Sequence, residues 1–202
     1  SKFLDAGVPF PGGVLVHGPA GGGKTALCRS MSRHFSISQT PAKTVWLDCQ
    51  NFAAADLEKM KRGLRVAFSR AVECQPSLLV CENVDALCST QGDGQATLDS
   101  LKFSVFSETF SDLVDETRRG SHRVSLLATA RSLDATHKSL KKSGCLDTHL
   151  AMPVPTRTQK AQIFRAILER KRIGDATGEA AAALEANCDG LDVKDVESIA
   201  EL

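Results

Sequence analysis

Short apolar runs alternate along the chain with longer stretches in which apolar residues recur every three or four positions. The apolar runs predict strands at 13–17, 43–48, 77–81, 123–129 and 148–153. The periodic stretches between them predict helices near 24–35, 56–74, 96–117 and 157–172. Continuously apolar strands separated by helices are typical of a parallel sheet covered on both faces. The pattern therefore predicts an α/β fold.

One stretch, 57–72, shows the helical period most clearly. Its apolar positions are Leu57, Met60, Leu64, Ala67, Phe68 and Ala71. Spacings of three and four residues place them on one face of a helix. We expect that face to pack against the sheet.

The strand pattern stops at Pro155, where a domain boundary is predicted. Thr156, with Gln159 three residues later, has the spacing of a capping box and predicts the start of a helix. Helical patterns continue at 176–186 and 192–201. We therefore expect an α/β unit over 1–155 and the start of a helical unit over 156–202. The pattern shows no distinct terminal signal at either end of the chain, so we expect it to be a piece of a longer protein.

Composition narrows the function classes. The chain has 25 basic and 24 acidic residues, a net charge of +1, so no global field indicates binding to nucleic acid or to an acidic membrane. Apolar runs such as 124–130 are too short to span a bilayer, and the start lacks the order of a secretory signal. The seven cysteines, none in a CxxC pair, predict reduced and mostly buried thiols of a cytosolic protein: Cys28, Cys49, Cys74, Cys81, Cys88, Cys145 and Cys188.

The strongest motif is the glycine-rich stretch GPAGGGKT, which lies between a predicted strand and a predicted helix. It matches the G-x-x-x-x-G-K-[ST] pattern, in which main-chain N–H groups surround phosphates. Lys24 should reach the β- and γ-phosphates of ATP, and the Thr25 hydroxyl should bind Mg²⁺. A glycine-rich turn without ligand is the alternative. The predicted nucleotide-binding residues are Gly18, Pro19, Ala20, Gly21, Gly22, Gly23, Lys24, Thr25 and Ala26.

Two polar residues follow the apolar strand 77–81. A P-loop enzyme needs an acid here to order Mg²⁺, which predicts Glu82 and Thr25 as the metal ligands. Asn83 comes next, and its neutral amide cannot act as a general base. We therefore assign no catalytic residue. The alternative is a strand-end turn without a role.

Three stretches together resemble the AAA branch of P-loop ATPases: GVLVHGPAGGGKT, QPSLLVCENVDALC and the segment from VSLLATARS to TQKAQIF. The stretches TVWLDCQNF and VAFSRAVECQPSLLVCENVDAL resemble more closely the first, degenerate AAA domain of the larger peroxisome-biogenesis ATPase. The resemblance implies a five-stranded parallel sheet in the order 5-1-4-3-2 and a hexameric ring. It also implies that 1–155 is the large nucleotide-binding subdomain and 156–202 a truncated helical lid.

By position, this chain departs from the family at the hydrolysis machinery. Glu82 and Asn83 stand where the family has Asp and Glu, and Ala130 stands at the sensor asparagine. Lys142 and Cys145 occupy the arginine-finger positions, a change that would impair the site of the adjacent subunit. Lysine lacks the planar bidentate fork of arginine.

The pore loop that grips polypeptide in the family corresponds to Ala55-Asp56-Leu57-Glu58, which contains no aromatic residue. Phe52 lies nearby, but phenylalanine is usually buried, and we expect it in the core. The sequence therefore predicts that this loop does not grip a substrate.

These departures favour an ATP-binding domain with a degenerate hydrolysis site, in a parent protein that is an ATPase. The resemblance implies a peroxisomal motor that extracts the ubiquitinated import receptor from the peroxisomal membrane for matrix-protein import. The implied partner is a second peroxisomal AAA ATPase in a hetero-hexameric ring. The implied location is the cytoplasm, peripheral at that membrane through a partner rather than by insertion.

Two other functions remain open. One is an active AAA chaperone or remodelling ATPase in which Glu82 itself is the base, and the other is a scaffold that binds no nucleotide.

The basic run KSLKKSG is a solvated face or an anion site, and a group at 118–123 is a candidate subunit contact: Arg118, Arg119, His122 and Arg123. We expect His17 to be packed in the core. The other histidines, His34, His122, His137 and His149, lack metal-ligand spacing.

Overall fold

The computed structural model describes residues 12–87 and 98–156, together with 158–160, 162, 163 and 166. The strands are β1 (Val14–His17), β2 (Lys43–Asp48), β3 (Ser77–Glu82), β4 (Val124–Ala130) and β5 (Thr148–Ala151). The helices are α1 (Lys24–Ser36), α2 (Leu57–Glu73) and α3 (Leu98–Arg119), and a 3-10 turn covers Cys49–Phe52. The predicted bounds of the strands and of the first three helices differ from these by one or two residues at most ends, and most of the helix predicted at 157–172 lies outside the described residues.

All five strands pair in parallel in the order β2-β3-β4-β1-β5. This confirms the predicted α/β class and the predicted order 5-1-4-3-2. His17 is in register with Ala130, and Asp48 is in register with Glu82. Because carboxyl ends of parallel strands meet at one edge of a sheet, the residues after β1, β2, β3 and β4 share that edge, where ligands bind in such folds.

Helix α2 buries nearly the whole face that its sequence predicts. Five residues are buried: Met60, Leu64, Ala67, Phe68 and Ala71. The exception is Leu57, the first residue of the helix, which is 41% exposed. Asp56 caps the start of the helix, because its side chain accepts the Lys59 N–H at 2.7 Å, so Leu57 lies in the first turn at the surface rather than over the core.

The core lies between the sheet and helices α2 and α3. The centre of β3, Leu78–Cys81, is buried, and phenylalanines of α3 belong to the same core cluster. Phe68 and Phe110 meet edge to face at 5.4 Å between ring centroids, an arrangement that aromatic pairs prefer. Each such side chain contributes about 1.5–3 kcal/mol on burial.

By its contacts the chain forms two compact units. One comprises Ser1–Gly18 and Lys24–Ala151, and the other Pro19–Gly23 and Met152–Leu202. In the second unit Thr156 N–H donates to Gln159 Oε1 at 2.9 Å and Gln159 N–H to Thr156 Oγ1 at 3.4 Å, which is the predicted capping box. The helices predicted at 176–186 and 192–201 lie outside the described residues, and the boundary at 155 stays a prediction.

Four cysteines are buried as predicted, Cys28, Cys49, Cys81 and Cys145, while Cys74 is half-buried and all five are free thiols. Cys88 and Cys188 lie outside the described residues. Within 12–87 and 98–156, no three or more His, Cys, Asp or Glu side chains group in a way that could hold a metal ion. None of the helices that the structure describes has the length and apolar character to cross a membrane.

Candidate nucleotide-binding site

The end of β1 is tied to the end of β4. Gly18 N–H donates to the Ala130 carbonyl at 3.2 Å. Lys24, the first residue of α1, extends its ammonium group to the Gly18 carbonyl at 2.7 Å and is only 9% exposed. A nearly buried ammonium group needs hydrogen-bond acceptors. The fold thus holds a positive charge beside the strand end where the phosphate motif predicts it.

The loop Pro19–Gly23, taken by itself, adopts a conformation that requires glycine. Gly21 has φ 73° and Gly23 has φ 88°, both in the left-handed region. Gly22 N–H closes a turn on the Pro19 carbonyl at 3.3 Å, and a Cβ on Gly22 would lie 3.2 Å from that oxygen. Backbone that switches hand in this way forms concave sets of N–H groups that bind anions.

The first turn of α1 places Thr25 and Ala26 at the surface. One turn further on, Cys28 is buried against the sheet. Burial and, secondly, the negative charge of Glu82 raise the pKa of the Cys28 thiol to about 11. The charge of the Glu82 carboxylate therefore acts on the buried face of α1, the helix that carries Lys24 and Thr25.

Glu82 is the last residue of β3. Its Oε1 atom is buried, and no residue that the structure describes gives it a hydrogen bond. A buried acceptor without a partner needs a donor or a cation. Mg²⁺ is held by one or two carboxylates, water and substrate phosphates, so Glu82 together with the Thr25 hydroxyl is a suitable donor set.

Asn83 is held by three constraints. Its backbone is left-handed, with φ 56°, a conformation that asparagine tolerates better than most residues. Its N–H donates to Thr129 Oγ1 at 3.0 Å, and its Nδ2 donates to Asp48 Oδ1 at 3.2 Å. The Asn83 amide is therefore bonded to a carboxylate at the end of β2.

Asp48 and Asp85 also lie at this edge of the sheet, although the sequence pattern alone did not single them out. Asp48 Oδ1 also accepts the Gln50 N–H at 3.0 Å. Asp85 is 7% exposed, and its Oδ2 accepts the Arg131 N–H at 2.8 Å. An acid directly after the apolar run of β2 was the available signal for Asp48.

The residues that the resemblance places at the sensor and finger positions are buried or paired within the chain. Ala130 is fully buried. Lys142 Nζ forms an ion pair with Asp115 Oδ2 at 2.8 Å, and this hydrogen bond raises the pKa of Lys142. Cys145 is buried, which raises the pKa of its thiol to about 12. The basic run is also engaged within the chain, since Lys141 donates to the Leu133 carbonyl at 3.0 Å.

The segment at the pore-loop position caps a helix. Asp56 accepts the Lys59 N–H, as described above, and this bond lowers the pKa of Asp56. Phe52 is 7% exposed, with its ring centroid 6.3 Å from that of Phe106. The prediction that Phe52 belongs to the core is confirmed.

A five-stranded parallel sheet in this order, with a glycine loop after β1 and an acid at the end of β3, defines a P-loop nucleotide-binding domain. The family model described as "ATPase family associated with various cellular activities (AAA)" matches residues 14–154. The chain belongs to the AAA family.

Among curated proteins, the chain is similar to regulatory subunits of the 26S proteasome. Subunit 6A of Saccharomyces cerevisiae is 29% identical over 174 residues, covering 86% of this chain and 38% of that protein. The subunit 6B homolog of Encephalitozoon cuniculi is 28% identical, covering 86% and 43%. The subunit 8 homolog of that organism is 26% identical over 197 residues, covering 96% and 48%. The chain spans less than half the length of these relatives, and their names give the peroxisomal resemblance no support.

Proposed function

We propose that this domain binds ATP with Mg²⁺ and stabilises a ring, while hydrolysing the nucleotide slowly. The observation that carries the proposal is Asn83: an amide stands at the base position, and its Nδ2 is bonded to Asp48. The phosphate motif, by contrast, keeps its lysine, its hydroxyl and its glycine conformations.

In this proposal Lys24 would exchange the Gly18 carbonyl for phosphate oxygens, and main-chain N–H groups of the glycine-rich motif would surround the phosphates. Thr25 and Glu82 would hold Mg²⁺, which would neutralise charge on the β- and γ-phosphates. ATP that favours the assembled state adds RT ln(1 + [L]/Kd) to its stability. The domain would thus act chiefly as a nucleotide-dependent element of the ring.

The slow hydrolysis follows from what the edge of the sheet lacks. A general base contributes roughly 10²–10⁴ in rate, and the Asn83 amide cannot take a proton. Ala130 offers only a buried methyl group where the family has a sensor amide.

We also propose the finer assignment that the sequence resemblance implies. The parent would be a peroxisomal ATPase paired with a second one in a hetero-hexameric ring, and it would extract the ubiquitinated import receptor. It would work from the cytoplasmic side, recruited by a partner. The stretches TVWLDCQNF and VAFSRAVECQPSLLVCENVDAL support this assignment. Co-purification with a second AAA ATPase from isolated peroxisomal membranes would test it, and recovery with proteasomes instead would refute it.

The second candidate is an active remodelling ATPase in which Glu82 is the base. Similarity to proteasome regulatory subunits and the unpartnered Oε1 of Glu82 favour it. The two candidates differ in the expected rate of phosphate release.

The experiment combines calorimetry with a phosphate-release assay on the assembled protein. We expect Mg-ATP to bind, Lys24→Ala to weaken binding at least tenfold and loosen assembly, and the exposed-lysine control Lys43→Ala to leave both unchanged. Turnover should lie about 10²-fold or more below the ordinary enzyme rate of about 1–10³ per second. Unchanged affinity in Lys24→Ala would refute the binding proposal. Rapid release that Glu82→Gln abolishes would favour the second candidate.

A further inference from the structure

We propose that Asn83 is a water-positioning residue and that Asp48 fixes the orientation of its amide. The inference rests on the proposed function, because it requires ATP at this site. It assigns the slow hydrolysis of the domain to orientation of water by an amide oxygen, in place of proton removal by a carboxylate.

The backbone of Asn83 is fixed on both sides of the residue. Its N–H donates to Thr129 Oγ1 at 3.0 Å, and its carbonyl accepts the Ala86 N–H at 2.9 Å. Thr129 is itself 1% exposed. Together with the left-handed φ, these bonds determine where the side chain leaves the main chain.

The chemistry of Asp48 then decides which end of the amide faces it. A carboxylate only accepts hydrogen bonds, so the atom 3.2 Å from Asp48 Oδ1 has to be the Nδ2 donor. The carboxylate is held in turn, because the same Oδ1 accepts the Gln50 N–H at 3.0 Å. The amide of Asn83 therefore cannot turn over without losing a bond, and its Oδ1 is left to accept a hydrogen bond from water.

An acceptor held in this way can orient an attacking water without being a base. In some P-loop enzymes a glutamine amide does so. The water oxygen would form a bond to the γ-phosphorus as the bond to the bridging oxygen breaks, and that electron pair leaves with ADP. The water proton passes to an oxygen of the transferred phosphate, so the products are ADP and inorganic phosphate. Asn83 takes up no proton.

The test is single-turnover hydrolysis of Mg-ATP by the assembled protein, with affinity measured in parallel. Asp48→Asn keeps an Oδ1 acceptor for both the Gln50 N–H and the Asn83 amide, but it removes the charge. Asp48→Ala removes the acceptor. We expect Asn83→Ala and Asp48→Ala each to slow hydrolysis about 10- to 100-fold, since a misplacement of about 1 Å can cost 10²-fold.

The double variant Asp48→Ala with Asn83→Ala should be no slower than either single variant, because both remove the same oriented amide. Asp48→Asn should stay within threefold of wild type, as should the control Gln50→Ala, which keeps its main-chain bond to Asp48. All variants should keep their affinity for ATP. If Asp48→Ala does not fold, the inference is supported by slowed ATP hydrolysis in Asn83→Ala together with unimpaired hydrolysis in Asp48→Asn.

Three outcomes would overturn it. A loss in Asp48→Asn as large as that in Asn83→Ala would make the charge of Asp48, and not its hydrogen bond, the active feature. Additive losses in the double variant would show that the two residues act separately. Bound ATP that turns over no faster than free ATP in the wild type would refute the inference and leave the proposed ATP binding and ring stabilisation standing. Absence of ATP binding would instead refute the proposed function.

Discussion

Replacing Asn83 by glutamate restores a carboxylate to the family's base position, yet we expect the variant neither to recover full activity nor to keep its stability. The side chain at this position leaves a left-handed backbone and meets Asp48. The new carboxylate would replace a hydrogen-bond donor beside an existing carboxylate. The repair that the sequence invites is therefore opposed by the structure.

The magnitude follows from three contributions. The left-handed backbone costs a residue other than glycine or asparagine roughly 1–2 kcal/mol. The lost hydrogen bond to a charged group is worth about 1.5–3 kcal/mol. Two charges 4 Å apart repel by about 1 kcal/mol in water and about 4 kcal/mol at an effective dielectric constant of 20. Because the side chains can turn apart, we expect a net destabilisation of about 2–4 kcal/mol.

The sign of the pH dependence is fixed by the repulsion. Two adjacent carboxylates raise the pKa of the pair in the folded variant. A raised folded pKa means that stability is greatest below the unfolded value, near 4, and is lost as the pH rises through the folded value. The part of the deficit that comes from repulsion should therefore be small at pH 4 and complete at pH 7–8, while the backbone cost of about 1–2 kcal/mol remains at both pH values.

Urea denaturation at both pH values measures the deficit, and phosphate release by the assembled ring measures activity. Asn83→Gln is the neutral control for size. Asp48→Asn combined with Asn83→Glu should regain most of the stability, because an amide would again face a carboxylate. We expect any gain in hydrolysis by Asn83→Glu to stay below about tenfold, since water must also be placed in line. Wild-type stability with turnover typical of the family would refute this reasoning.

Three further predictions concern positions away from this pair. Leu57→Ala should leave substrate threading by the parent motor unchanged, whereas the buried control Met60→Ala should destabilise the fold by about 2–5 kcal/mol. A threading defect in folded Leu57→Ala would contradict the prediction that this loop does not grip a substrate. Cys28→Ala should reduce the loss of unfolding free energy between pH 9 and 11. The pKa of the Cys28 thiol in the folded protein, near 11, lies above the ordinary 9.0, so the stability that the neutral thiol contributes is lost as the pH rises through the folded pKa. A variant with the same pH profile as wild type would exclude a buried thiol. Lys142→Met should change the free energy of unfolding by less than about 1 kcal/mol, since both partners of its ion pair are partly exposed. It should also leave hydrolysis by the adjacent subunit unchanged in a phosphate-release assay, and a tenfold fall in that rate would show that Lys142 acts across the interface.

The elements could be predicted from the sequence because their signals are local. The central strand β3 is an almost continuous apolar run, and the buried face of α2 repeats at helical spacing. The glycine loop is equally local, because positive φ at Gly21 and Gly23 excludes most other side chains. The position of Glu82 directly after an apolar run sufficed to predict it as a metal ligand.

The order of the strands was not available from that pattern. β1 pairs with β4 and β5, which lie more than 100 residues further along the chain, and no periodicity encodes such pairing. The order came from resemblance to a family, and the structure confirms it.

The hydrogen-bond partners at the proposed hydrolysis site were decided by tertiary structure alone. The sequence shows that Asn83 is an amide, but its bond to Asp48 joins residues 35 positions apart. Lys142 likewise reads as a free cation until α3 brings Asp115 to it. Such pairs depend on which strand ends and helix faces the fold brings together, so the residue types could be predicted from the sequence while their hydrogen-bond partners could not.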